Sequence, residues 1–161
     1  MEQTLNIDEK LKESEQLFND SLFLEAGNTV SSVLLEHPEC IDALNLKGVI
    51  LDALNDSSGA ITSFDKALKS KRGDGTSIKN HLDIYLRDGC ILDFLKIYRK
   101  HRFFLTPDEG IAYDDIIDEI ETDISTINDN GILREFAIIA FKQGRTSANH
   151  LLSNAFKQDP H

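Results

Sequence analysis

The chain has 161 residues and a formal net charge of −11, from 17 Lys and Arg against 28 Asp and Glu. Hydrophobic residues make up 40% of it, which suits a folded domain with a continuous core rather than a disordered chain. The acidic balance argues against nucleic acid as a partner, because phosphate binding rests on Lys and Arg, and no apolar run reaches the roughly 18 to 20 residues that span a bilayer.

Apolar residues recur at spacings of three and four, and no long β-branched run alternates with period two, so the expectation is an all-α chain. Nine helices are expected. The first two, over 8–19 and 22–36, meet at Asp20-Ser21, where either side chain can accept from free helix N–H groups, and Pro38 stops the second. Helices over 40–54 and 57–71 are separated by Asp56-Ser57-Ser58, which again offers cap acceptors. Arg72-Gly73-Asp74-Gly75 reads as a turn, followed by helices over 76–88 and 90–102. The sharpest start signal is Thr106-Pro107-Asp108-Glu109. Thr106 can cap, Pro107 suits the first helical position, and Glu109 can close a capping box on a helix over 107–127. Gly131 and Gly144 suit left-handed turns beside the last two helices, over 132–143 and 146–157.

Residues 8–40 and 42–74 align without gaps at a shift of 34. Leu17 falls on Leu51, Ala26 on Ala60, Val30 on Phe64, Val33 on Ala67 and Leu34 on Leu68. The second copy carries Gly48 where two helices would cross, then Ala60, Phe64 and Ala67, and the first copy ends at Pro38. This pattern resembles the tetratricopeptide repeat (TPR). Leu44 stands at the family's early Trp, Lys47 at its Leu before the Gly, and Ser14 at the Gly of the first copy. A third, weaker copy over 75–102 has Tyr85, Phe94 and Tyr98, with Phe94 in place of a small Ala. Residues 103–131 break the register, and Ala148, Leu152, Ala155, Phe156 and Pro160 resume the second-helix pattern in a C-terminal hairpin over 132–161. The expected organisation is therefore TPR-like repeats over 1–102, a long acidic helix within 103–131 and that hairpin, in one continuous domain.

The resemblance implies a solenoid in which each hairpin buries its neighbour, with the first helix of each pair lining a concave groove for a peptide or helix. By alignment the groove residues are Leu11, Glu15, Phe18 and Asn19, then Asp42, Asn45, Val49 and Asp52, then Lys79, Asp83 and Leu86. The set mixes apolar anchors with more acids than bases, so the expected partner is another protein with a basic and apolar segment. One subtype of the family holds a C-terminal carboxylate with Lys and Asn. Leu11, Glu15 and Leu46 stand at those places, so no such clamp for large heat-shock chaperones is expected.

Charge comes in blocks: −7 over 1–40, neutral over 41–75, +3 over 76–106, −9 over 107–131 and +2 over 132–161. These blocks read either as solvated helix faces or as surfaces that choose partners by charge. In the acidic helix, Tyr113, Ile117, Ile120, Ile124 and Ile127 make one apolar seam. The seam either packs on the repeats or joins two chains in a homo-oligomer. Its acids lack the spacing of a calcium loop.

Signals for chemistry are weak. His37 and Cys40 lack two further zinc ligands, and there is no G-x-S-x-G, no Walker loop and no G-x-G-x-x-G. Arg99-Lys100-His101-Arg102 makes a basic patch at a helix end, where it complements the helix C-terminus. Arg72-Gly73-Asp74 and the sequons at Asn19 and Asn55 read as turns. Cys40 and Cys90 are expected to be buried, small and apolar. From two cysteines and an opening Met1-Glu2-Gln3-Thr4 without a signal-like stretch, the expected location is the cytoplasm. The leading expectation is a non-enzymatic interaction module, such as an adaptor, assembly factor or small chaperone, without metal or cofactor. The alternatives are a homo-oligomeric structural protein, or the N-terminal TPR-like part of a larger enzyme such as a glycosyl- or sulfotransferase.

Overall fold

The computed structural model describes residues 2–123, 129–145 and 153. Its described elements are eight α-helices and one 3₁₀ turn, with no strand among the described residues. The helices are α1 (Glu2–Asn19), α2 (Phe23–Glu36), α3 (Ile41–Ala53), α4 (Ser57–Ser70), α5 (Gly75–Arg87), α6 (Ile91–His101), α7 (Pro107–Asp123) and α8 (Asn130–Lys142), with the 3₁₀ turn at Arg102–Phe104. Apart from Ser153, the expected ninth helix over 146–157 lies outside the described residues, as do Ile124 and Ile127 of the acidic helix. The chain divides into two compact units, Met1–Ile84 and Tyr85–His161, with α5 running across the division.

In the first unit α1 packs on α2, α2 on α3 and α3 on α4, and α1 also reaches α3. One core cluster joins Leu11, Ala26, Val30, Val33, Ala43 and Ile50, and another joins Ala60, Phe64 and Ile84. Small residues set the closest approaches. A Cβ on Gly48 would overlap the Phe64 ring, whose Cδ1 would stand 2.8 Å away, and Ala60 and Ala67 are fully buried. At the corresponding place in α1, Ser14 is also fully buried. Its hydroxyl donates to the Ala26 carbonyl at 2.9 Å, so a small polar residue fits a site where glycine would otherwise serve.

Helix ends follow local chemistry, with two corrections. Asp56 caps α4 by accepting from the Gly59 N–H at 2.8 Å. The Thr106–Glu109 box forms: Glu109 accepts from the Thr106 N–H at 2.9 Å, and Thr106 accepts in return from the Glu109 N–H. Asp20 and Ser21, however, do not cap α2. Leu22 holds the cap position without a side-chain bond, and Ser21 takes a left-handed φ of 63° to close the tight connection. Gly131 is helical rather than a left-handed turn. Asp129 caps α8 by accepting from the Ile132 N–H at 3.0 Å, and a Cβ on Gly131 would stand 3.1 Å from a Leu92 methyl. Cys90 is exposed and Cys40 half-buried, so neither is the fully buried residue expected. Gly144 does take the left-handed conformation, with φ 69°.

The second unit is built on aromatic residues of α6. Phe94, Leu95 and Tyr98 are fully buried, with Tyr98 and Tyr113 each 6.1 Å from Phe94 between ring centroids. Phe94, where the TPR resemblance implied a small Ala, is thus central to this core. Leu133, Phe136, Ala137, Ile139 and Ala140 of α8 supply its other apolar face. Ion pairs cross between helices: Arg99 to Glu135, Arg102 to Asp114, and Arg145 to both Asp118 and Glu121.

Candidate functional site

The expected groove residues do not share one environment. α3 lies next to α1 through the apolar cluster and next to α5 through a polar junction, so α1, α3 and the first part of α5 are neighbours in series. Glu15, Asn19, Asp42, Lys79 and Asp83 are exposed, and Phe18, Val49, Asp52 and Leu86 are half-buried. Leu11 and Asn45 are buried, and both belong to packing. Leu11 sits in the α1–α2–α3 core, and Val49 packs against Ala60, Phe64 and Ile84. Lys79 and Asp83 pair with each other one helical turn apart, which leaves Glu15 and Asp42 as the acids of this set without an ion pair among the described residues. Leu86 belongs to the second unit.

Asn45 has a different job from the one its alignment implies. Its amide donates to Asp74 at 2.9 Å, and the Ser77 hydroxyl stands 2.7 Å from the Asn45 carbonyl oxygen. Asp74 also accepts from the Ser77 N–H at 3.1 Å, capping the first turn of α5, and pairs with Lys71 at 3.4 Å. Burial pushes the Asp74 carboxyl up. The hydrogen bonds from Asn45, from the Ser77 hydroxyl and N–H, and from Lys71 outweigh it and hold the group below its ordinary 3.8. A carboxyl lowered in the folded state contributes stability that is complete above its unfolded value and is lost as pH falls through the folded one. Asp74→Asn should therefore lower the urea midpoint at neutral pH. The gap between variant and parent should narrow as the pH is taken progressively below 3.8. An equal gap at every pH would mean that the carboxylate charge contributes nothing.

The seam of the acidic helix is partly placed. Tyr113 and Ile117 are buried and Ile120 is half-buried. Tyr113 lies against Phe94 and Tyr98, so the start of the seam is core of the second unit rather than free surface. Part of the basic patch of α6 is likewise committed within the unit. Arg99, Lys100 and His101 form the last turn of α6, Arg99 and Arg102 are paired, and His101 is buried beside Phe104.

Three polar groupings were not apparent from spacing: Asn45–Asp74–Ser77, Tyr98–Arg102–Asp114–Gln143, and the buried His81 near Asp65. His81 Nε2 stands 3.8 Å from Asp65, and its ring meets the Phe64 ring at 5.8 Å between centroids. Among the described residues no group of three or more His, Cys, Asp and Glu is placed to hold a metal, and no helix is long and apolar enough to cross a membrane. No protein-family model and no curated protein matches the sequence.

Proposed function

We propose that the chain is a non-catalytic protein-interaction module of TPR-like design. In this reading α1, α3 and α5 present an acidic surface to a basic and apolar segment of another protein. The observation that carries the reading is the approach of α3 to α4 through Gly48, over the buried Phe64 ring and beside the buried Ala60 and Ala67. Small residues at these repeat-related positions are what stacked helical hairpins require. The packing of α1 on both α2 and α3 supports the same reading, since it brings consecutive hairpins side by side. Glu15 and Asp42 are exposed and make no ion pair among the described residues, so their charge is open to a partner. Phe18 and Val49 are half-buried and can offer apolar contact beside them.

The test is a fluorescence-anisotropy titration with a labelled peptide of alternating Lys and Leu. Glu15→Lys with Asp42→Lys should weaken binding about tenfold and flatten its salt dependence, with the far-UV circular dichroism unchanged. Equal affinity in parent and variant would remove the acidic surface from the proposal.

A further inference from the structure

Away from the acidic stripe of α3, a cavity of about 470 Å³ opens between the end of α2, the middle of α3 and the first turns of α4. Leu34, Leu44 and Leu51 give it an apolar lining, and Lys47, Thr62 and Lys66 give it a polar one. Its volume falls among those of sites that hold a ligand group, about 300 to 1,000 Å³. The two lysines are the charged feature a ligand would meet. Lys10, Lys71 and Lys79 of the same unit pair with Glu36, Asp74 and Asp83, whereas Lys12 and Lys69 are exposed and make no ion pair among the described residues. Lys47 and Lys66 have no ion-pair partner among the described residues, and Lys47 is half-buried. Lys66 is exposed, and a half-buried lysine keeps its ammonium toward solvent over a buried stem, so both charges stand at the mouth of the cavity where a ligand carboxylate can meet them. Asp56 also lines the cavity, but it is engaged as the cap of α4 through the Gly59 N–H. In a chain of net charge −11, two cations against one carboxylate over a leucine lining run opposite to the overall balance.

We infer that this cavity binds a short acidic segment of another protein. A leucine- or phenylalanine-sized side chain enters against the leucines, and a flanking Asp or Glu carboxylate meets Lys47 and Lys66. Two cations on adjacent helices above an apolar lining match the alternation of apolar and acidic side chains along an extended peptide. The site is separate from the acidic stripe and selects the opposite charge, so it stands or falls independently of the proposed groove.

The experiment is a heteronuclear NMR titration of the full chain with the N-acetylated, C-amidated tetrapeptide Leu-Asp-Glu-Leu. Leu-Lys-Lys-Leu and free hexanoate serve as the comparison arms. Saturable shifts at the Leu44, Lys47, Thr62 and Lys66 amides are expected, with a Kd at or below about 1 mM and no response to the basic peptide. Lys47→Glu with Lys66→Glu should weaken binding about tenfold or more, and Lys47→Met with Lys66→Met, which keeps the stems, should also weaken it. The proposal is overturned if the acidic peptide gives no saturable shift, or if both double variants bind it as the parent does. It is equally overturned if hexanoate binds as tightly as the peptide, because the site would then recognise a small apolar carboxylate.

Discussion

Gly48→Ala is expected to destabilise the first unit by about 2 kcal/mol, although alanine is the better helix former by about 1 kcal/mol. Contact geometry decides the sign. Three carbons of the Phe64 ring would lie within 2.8 Å of the new methyl. The ring is 1% exposed and shares its cluster with Ala60 and Ile84, so it cannot swing into solvent to make room. Either α3 and α4 separate or the ring leaves its preferred rotamer, and both disturb a close-packed interior. The lowered midpoint should appear in urea unfolding followed by far-UV circular dichroism, with the slope unchanged. Phe64→Leu should cost stability alone, yet less in the Gly48→Ala background, with a coupling of about 1 kcal/mol. If Gly48→Ala is neutral or stabilising, the close crossing is not a requirement of the fold, and the repeat reading loses its main support.

This pair also shows what the sequence made legible. Gly48 and Phe64 were visible because the segment 42–74 resembles the TPR pattern, and local signals placed the Thr106–Glu109 box and the Asp56 cap. Such features depend on residues close in the chain or repeated at a fixed period. Asn45 shows the opposite case. It lies on the helix face that alignment assigns to a groove, yet its partners Asp74 and Ser77 are 29 and 32 residues away, and nothing in the spacing announces them. A polar residue on a stripe looks the same in sequence whether it meets solvent or a buried carboxylate.

The charge blocks were half legible for a related reason. The basic residues after 76 and the acids of 107–131 are partly complementary within the second unit, as Arg102–Asp114 and Arg145 with Asp118 and Glu121 demonstrate. Counting charge along the chain located both blocks without showing that they meet. Ser21 was misread because Asp-Ser suits a cap, whereas the three-residue connection from α1 to α2 demands a left-handed residue there. Gly131 was misread because glycine usually marks a turn, whereas here it leaves room for Leu92.

Asp114→Ala should destabilise the second unit by about 2 to 3 kcal/mol, because a single carboxylate satisfies donors from three side chains. It accepts from the Tyr98 hydroxyl, from the Gln143 amide at 2.6 Å and from Arg102 at 2.9 Å. Arg102 also donates to the Tyr98 oxygen at 3.1 Å and stands 5.5 Å from the centre of its ring. Removing the carboxylate leaves a buried phenol without its acceptor and a guanidinium without its counter-charge. Asp114→Asn keeps the volume and one acceptor oxygen, so its cost should be smaller. Tyr98→Phe removes one donor to Asp114 and one acceptor of Arg102, but it leaves Asp114 its other two partners and Arg102 its counter-charge, so it should cost least, about 1 kcal/mol. Titration gives a second readout. Burial raises the Tyr98 phenol far above its ordinary 10.0; the Asp114 hydrogen bond and charge raise it further, against a smaller lowering by Arg102. A group raised in the folded state contributes stability that is complete below its unfolded value and is lost as pH climbs above it, here above 10.0. In Asp114→Asn the phenol should titrate at lower pH than in the parent, while remaining above 10.0 because it is still buried. Followed by tyrosinate absorbance, an unmoved titration, or an Asp114→Ala variant no less stable than Tyr98→Phe, would show that Asp114 does not hold this network together.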